Sequence, residues 1–569
     1  MKFRIGMALN LSASIFALSS CSGGSAGSED NNQGSEAGGN GGESGGAGAP
    51  VGSAGSSGKG GDSSQGAGNS GSGGAGGEGG SNPGPMPFLT KAINDSNWGE
   101  GFKVAVPSGV IIQPGGTQLI AGPKFTKPLP AWSGISRTMN LLKSSTAEKR
   151  NTVKILFYGQ SITRQEWFIT VTDDLKKLFP HADIQTWMLA AGGMGADRMR
   201  RASEHDVIPL YPDLIVYQNY GGYADVDGIV KDWRSRTSAE IIIQNWHLGS
   251  DAGNPAVDRM SYLFIPDVAR RLGAEFIDSR TAFKQYITAK NLPNEGLTKD
   301  GIHLNLEGEV LMAKLHVDLF KNYPPNPVVD PLAMVNTYEV GKDVKWNGGT
   351  LAFDFEGNRV DLIVNDGTAL AANASTVLVD GKKPSEYPGN YAFTRPNGDG
   401  KNINKPEPGW PWTPGAVMRV DSMATRVVED WTLTVANRNG FNFSFTVQGS
   451  VTGPDGGGMI MGTDAGTGSG TTSFVSNSKR VVLKPSDWHF LGAKNEWNLA
   501  DNKIVWKSIS LSTDVFPPKA ITTADSKFQY AVTLFQGLPN GRHKVEIKTK
   551  DGQPLPLASV RTFRPPLKL

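Results

Sequence analysis

Apolar positions fall along this chain in two rhythms, and the change between them divides the folded part. From Val153 onward, continuous apolar runs alternate with stretches whose apolar residues recur every three to four positions. Residues 154–158, 182–189, 214–218, 240–245 and 274–277 read as buried strands. The intervening spans 167–178, 196–205 and 266–272 read as amphipathic helices, and 305–320 closes the series as another. Strands with no polar alternation, separated by helices, predict a parallel sheet covered on both faces. Upstream, residues 88–150 form a lead-in with Pro/Gly turns and one helix near 136–142. Asp225-Val226-Asp227-Gly228 carries too few oxygen ligands for a calcium loop and reads as a solvated turn.

After Pro324-Pro325-Asn326-Pro327 the helical period disappears. Short alternating runs take over at 350–355, 359–364, 376–379, 431–435 and 441–447. They continue at 480–483, 504–511, 528–534 and 543–547. Period-two alternation punctuated by Gly, Pro and Asn predicts an all-β sandwich. A Gly-rich stretch at 453–470 interrupts it, either as a long loop or as the divide between two β units.

The N-terminal end follows neither rhythm. Lys2 and Arg4 precede a short apolar run, 5–18, too short for a membrane anchor. Leu18-Ser19-Ser20-Cys21 follows and resembles the lipobox of bacterial lipoproteins. That resemblance implies cleavage before Cys21 and lipidation of its thiol. Cys21 is the only cysteine, which excludes intrachain disulfides. Residues 21–87 are nearly all Gly, Ser, Ala and Asn, a composition that cannot bury enough apolar surface to fold. As a coil of roughly 65 residues it would reach about 45 Å. The expected organisation is therefore a signal peptide over 1–20, a tether over 21–87, a catalytic domain over 88–325 and a β-sandwich accessory domain over 326–569. The same resemblance, with a serine after Cys21, implies a place in the bacterial cell envelope, at the outer membrane or cell surface. With 56 basic and 54 acidic residues the net charge is +2, so no electrostatic case arises for nucleic acid.

Four short blocks carry chemistry. Gly159-Gln160-Ser161 ends the first strand, and Gly192-Gly193-Met194-Gly195 lies between a strand and a helix. Gln218-Asn219-Tyr220-Gly221 ends the third strand, and Asp300-Gly301-Ile302-His303 precedes the closing helix. Strand carboxyl ends share one edge of a parallel sheet, so the first three blocks converge there. Ester hydrolysis needs a nucleophile, a base, a group to orient the base, and donors for a developing oxyanion. Ser161, His303 and Asp300 supply the first three. A glycine before a helix presents its N–H at close approach, and Asn219 offers a side-chain donor. Each block alone is weak; the ordered set is specific. Ile162-Thr163 after Ser161 excludes the G-x-S-x-G elbow, and Arg198 stands where a dinucleotide site needs its third Gly. No His/Cys spacing suggests a metal, and no cofactor is called for.

The four blocks resemble those of the SGNH (GDSL-type) hydrolase superfamily over roughly residues 140–325. The resemblance implies a flavodoxin-like three-layer α/β/α domain. It assigns Ser161 as nucleophile, His303 as general base and then acid, and Asp300 as its orienting partner. The oxyanion hole would comprise the Ser161 N–H, the Gly195 N–H and the Asn219 amide. Gln160 stands where the family usually has Asp, and Ala190 where it often has Asn. Gln at that position also occurs in sialate and carbohydrate O-acetylesterases.

Gln160, Tyr220 and His247 are further candidate substrate contacts at the same sheet edge. The C-terminal region holds seven of the 13 Trp, which read mainly as β-core residues. Trp410-Pro411-Trp412 could instead form a stacking platform for sugars. The expected activity is hydrolysis of O-acyl, foremost O-acetyl, esters of a polysaccharide. A lipase or thioesterase of the same fold is one alternative; a carbohydrate-binding lipoprotein with a degenerate hydrolase unit is the other.

Overall fold

The computed structural model describes residues 133–325, 328–396, 417–439, 442–461, 473–488, 502–522 and 527–568. The lipobox with Cys21, the tether and the Trp410/Trp412 pair lie outside them.

Five strands form one parallel sheet: β1 Thr152–Gly159, β2 Asp183–Ala190, β3 Leu214–Gln218, β4 Glu240–Gln244 and β5 Glu275–Ile277. Their spatial order is β2-β1-β3-β4-β5, the flavodoxin-like order. Alternate side chains of β1 feed two separate cores. Val153, Ile155 and Phe157 enter one with α1 Ser136–Lys143, α2 Trp167–Leu178 and the closing helix. Leu156 and Tyr158 enter the other, with α3 Ala196–Leu210 and α4 Tyr223–Arg236. Burial on both faces removes any need for polar alternation, which is why these strands read as continuous apolar runs.

Helix α4 corrects the reading of 225–228 as a solvated turn. Asp227 is 3% exposed and accepts a 2.5 Å hydrogen bond from Arg271. The charge pattern was that of an ion pair buried between helices, not of a solvated loop. Two short helices, α5 Pro255–Arg259 and α6 Ile265–Arg271, are joined by a π-turn, Met260–Phe264. Helix α7 Ser279–Lys290, which the periodicity did not single out, precedes the closing helix α8 Leu306–Asn322. Asp278 caps α7 and Asn305 caps α8, each accepting a backbone N–H of the first turn.

The C-terminal region consists of antiparallel sheets around two cores. Strands β6 Val335–Glu339, β7 Trp346–Asn347, β8 Thr350–Val364 and β9 Ser375–Val379 belong to a seven-stranded sheet. That sheet is completed much later by β17 Val515–Phe516, β18 Tyr530–Thr549 and β19 Leu557–Phe563. Between them the chain builds a second sheet from β10 Tyr391–Phe393, β11 Glu429–Asn439, β12 Asn442–Gly449, β13 Gly453–Ile460 and β16 Lys503–Ser510. A short pair, β14 Phe474–Val475 with β15 Val482–Leu483, accompanies it. One β core is thus nested in sequence inside the other. The runs at 350–355 and 359–364 are a single strand, β8. The runs at 528–534 and 543–547 are likewise one strand, β18, whose register against β8 shifts between Gln536 and Gly541. Trp431, Trp488 and Trp506 are core residues, each at most 1% exposed.

Helix α3 carries much of the contact between the parallel-sheet region and the β region. The His205 ring lies between the Phe393 carbonyl (3.1 Å) and the Val420 N–H (3.0 Å). The first bond needs a ring N–H and the second a bare ring nitrogen, so His205 is neutral here. Burial, the largest cause, lowers its pKa to about 4. Next to it, Asp206 accepts from Arg395 Nε at 3.0 Å and from the Tyr158 hydroxyl at 3.1 Å.

Candidate active site

Strand register assembles the site. Gly159 pairs with Ala190 on one side and with Gln218 on the other. The residues that follow all three strands therefore leave the sheet side by side. Gly159 is fixed by space: a Cβ there would lie 1.9 Å from the Gln218 carbonyl oxygen. The chain then turns, with Arg164 N–H donating to the Gln160 carbonyl at 3.0 Å and Gln165 N–H to that of Ile162 at 3.2 Å. Trp167 anchors the turn from below through its indole N–H to Ile162 O, at 2.7 Å.

Ser161 is half-buried at the mouth of this turn. Its Oγ lies 2.9 Å from His303 Nε2, and His303 Nδ1 lies 2.7 Å from Asp300 Oδ2. Asp300 Oδ1 also accepts the backbone N–H groups of Ile302 (3.0 Å) and His303 (2.6 Å). These bonds fold the four residues into one turn, which is what the Asp-x-x-His spacing achieves. Desolvation pushes the Asp300 pKa up, but the hydrogen bonds from His303 and Ile302 outweigh it and hold the carboxyl below its usual value. Gly301 completes the turn with φ +82°, and its carbonyl takes the Ser250 N–H at 2.8 Å. The ionised carboxylate fixes the proton on Nδ1 and leaves Nε2 to accept from the Ser161 hydroxyl.

The donor candidates surround this line. Gly192 faces Ser161: a Cβ there would lie 3.8 Å from Ser161 Cβ. Gly195 is the N-cap of α3, where the first N–H groups have no partner within the helix. Asn219 is 2% exposed, and among the described residues neither its side-chain nitrogen nor its oxygen makes a hydrogen bond of standard geometry. Its carbonyl is held by the Trp246 indole N–H at 2.7 Å, and the buried Tyr217 phenol lies close to its side chain. An unpaired buried amide costs about 1–3 kcal/mol. A group kept at that cost requires an explanation, and a charge that develops only during reaction supplies one.

The three candidate substrate contacts differ in placement. Gln160 is 8% exposed beside Ser161, and the half-buried Tyr220 packs its ring 4.7 Å from that of Trp246. His247, a candidate contact with a structural role as the alternative, is 1% exposed beneath the Asp300–His303 turn. There it meets the Ile302 carbonyl through Nε2 at 2.7 Å, and burial lowers its pKa to about 4. Gln165 was not singled out from the sequence. Its Oε1 accepts the Leu304 N–H at 2.9 Å, and its Nε2 donates to Leu304 O (2.8 Å) and Glu309 Oε1 (2.9 Å). No sequence pattern marks a glutamine four positions after a nucleophile as its tie to the base.

Among the described residues, no cluster of three or more His, Cys, Asp or Glu side chains is placed to hold a metal. A shallow surface depression of about 370 Å³, lined by Pro293, Glu295, Lys299 and Asp300 among others, adjoins the triad.

No family model matches this chain, and no curated protein matches it. Solved structures do show likeness. One is a two-domain esterase (CEX) active on acetylated mannans, co-crystallised with mannopentaose. It is 14% identical, with a TM-score of 0.28, and the match covers 75% of this chain and 94% of that one. Another is Axe2, an acetylxylan esterase from Geobacillus stearothermophilus. It is 17% identical, with a TM-score of 0.27, over 31% of this chain and 96% of that one.

Proposed function

We propose that this chain is an SGNH-type serine ester hydrolase that removes O-acetyl groups from a polysaccharide. The observation that carries the reading is the continuous line from Ser161 Oγ through His303 to Asp300, at 2.9 and 2.7 Å. Ser161 Oγ attacks the ester carbonyl carbon while His303 Nε2 takes its proton. The negative charge that forms on the carbonyl oxygen is met by the N–H groups of Ser161 and Gly195 and by the Asn219 amide. As the C–O bond to the sugar breaks, His303 returns the proton to the leaving oxygen. Water, deprotonated by the same nitrogen, then attacks the acetyl-serine; as acetate leaves, His303 returns the proton to Ser161 Oγ. Asp300 keeps the imidazole in the productive tautomer and stabilises its charged form.

The polysaccharide part draws on the exposure of the site. The side chains of His303 and Asp300 are 32% and 41% exposed, which suits a bulky polymer better than a buried acyl chain. The lipobox ending at Cys21 and the tether after it would hold such an enzyme at the envelope surface. Replacing Cys21 with Ala should release it to the soluble fraction.

The test is Ser161→Ala, assayed by p-nitrophenyl acetate hydrolysis and by acetate release from acetylated xylan and mannan. Loss of both with an unchanged circular dichroism spectrum is expected, and retained activity would refute the assignment. An acyl series decides between acetylesterase and lipase: octanoyl esters turning over faster than acetyl would overturn the substrate class.

A further inference from the structure

The hydrogen bonds on either side of His303 point to residues that act on catalysis without touching substrate. The backbone of the general base is gripped at both neighbours. Before it, the Ile302 carbonyl is held by His247 Nε2 at 2.7 Å. After it, both backbone polar groups of Leu304 are taken by one side chain, Gln165, at 2.9 and 2.8 Å. Gln165 belongs to the turn that carries Ser161, whereas Leu304 lies 139 positions further along the chain. The Gln165 amide therefore joins the nucleophile loop to the base loop directly.

The orientation of each gripping group is itself determined. Glu309 Oε1 accepts from Gln165 Nε2, so the nitrogen faces the Leu304 carbonyl and Oε1 faces its N–H. The His247 bond to a carbonyl requires the proton on Nε2, and the Phe283 ring packs 5.5 Å from that of His247. Beneath His247, the fully buried Arg280 holds its carbonyl at 3.0 Å and the Asp251 carboxylate at 3.1 Å. The His303 side chain is 32% exposed, and Asp300, which bonds its Nδ1 at 2.7 Å, sits on the same short turn. Its aim at Ser161 depends on the backbone below.

We propose that Gln165 and His247 are positioning residues that hold the Ile302–Leu304 backbone from both sides and so set the reach of His303 to Ser161. This rests on the serine-hydrolase reading above. Misplacement of a reacting group by about 1 Å costs on the order of 10²-fold in rate. Removing either grip should therefore lower turnover and leave substrate binding alone.

The experiment uses the full chain and four variants: Gln165→Ala, His247→Phe, His247→Gln and Ser161→Ala. His247→Phe keeps the ring volume and removes the donor, whereas His247→Gln restores an N–H at the Nε2 position. Turnover of p-nitrophenyl acetate and the rate of inactivation by a fluorophosphonate are measured per folded molecule, together with Tm. The expected result for Gln165→Ala and His247→Phe is a kcat lower by about 10- to 100-fold with KM changed by less than about threefold. Fluorophosphonate labelling should slow in parallel, and His247→Gln should recover most of the loss. If both variants lose Tm while kcat per folded molecule stays within about twofold of wild type, the grips serve stability alone and the proposal fails. Equal loss in His247→Gln and His247→Phe would overturn the role given to His247. Full activity in Ser161→Ala would instead sink the underlying hydrolase reading, whatever the other variants do.

Discussion

Replacing Asp300 with Asn tests whether the carboxylate acts by charge and tautomer or merely by shape. The carboxylate makes three bonds. Oδ1 accepts from the backbones of Ile302 and His303, and Oδ2 accepts from His303 Nδ1 at 2.7 Å. An Asn fits the same volume and keeps its oxygen on the two backbone donors, so the turn survives. Its NH₂ then replaces Oδ2 and faces Nδ1. A donor there requires Nδ1 to be bare, which moves the ring proton to Nε2, 2.9 Å from Ser161 Oγ. His303 would then present a proton to the nucleophile where it must accept one. A triad histidine held in the wrong tautomer loses roughly 10⁴-fold in kcat, equivalent to about 5.5 kcal/mol of transition-state stabilisation. Asp300→Ala removes the orienting group without imposing a tautomer, so the isosteric Asn should be at least as harmful as Ala. Steady-state kinetics on p-nitrophenyl acetate, with Tm for each variant, makes the comparison. Asn within about tenfold of wild type, or clearly more active than Ala, would refute this account of the site.

Asn219→Ala should lower kcat by about 10²- to 10³-fold with little loss of Tm, because among the described residues no hydrogen bond of standard geometry holds the amide; a Tm loss with normal kcat would make it structural. Gly159→Ala should destabilise the fold by several degrees or abolish soluble expression, since its Cβ would meet the Gln218 carbonyl at 1.9 Å; an unchanged Tm would show that the sheet edge can yield. His205 is buried neutral with a pKa lowered to about 4, so below about pH 6.5 the unfolded chain binds a proton that the folded one refuses. Its share of stability is full above pH 6.5 and falls as pH drops towards 4, by up to about 1.4 kcal/mol per pH unit. Urea titrations should show a shallower acid slope for His205→Gln than for wild type, and equal slopes would remove His205 from the acid response.

The parallel sheet was legible because burial on both faces turns its strands into unbroken apolar runs, as in Val153 to Tyr158. The approach of Asp300 to His303 was legible because Asp-x-x-His is a local turn whose bonds run between near neighbours. Helix α4 was missed because its polar residues Asp227 and Arg234 are buried by partners far along the chain, Arg271 and the Leu272 carbonyl. The nested β cores were hidden for a related reason. Strand β9 pairs with β17 and β18 after a long excursion, and no local pattern records which strand completes which sheet. Strand β8 alternates up to Glu356 and is buried at every position from Gly357 on, so its rhythm changes midway and one strand read as two. Gln165 and His247 carried no signal for their contacts, since both bond backbone groups, whose presence is the same at every residue type.

The most direct test of the central claim is covalent capture of the nucleophile. The full chain is treated with a fluorophosphonate and its peptides are analysed by mass spectrometry. The account predicts one adduct, on Ser161, that is absent in Ser161→Ala and strongly slowed in His303→Ala. Hydrolysis of p-nitrophenyl acetate that persists while the adduct maps to another residue would contradict it.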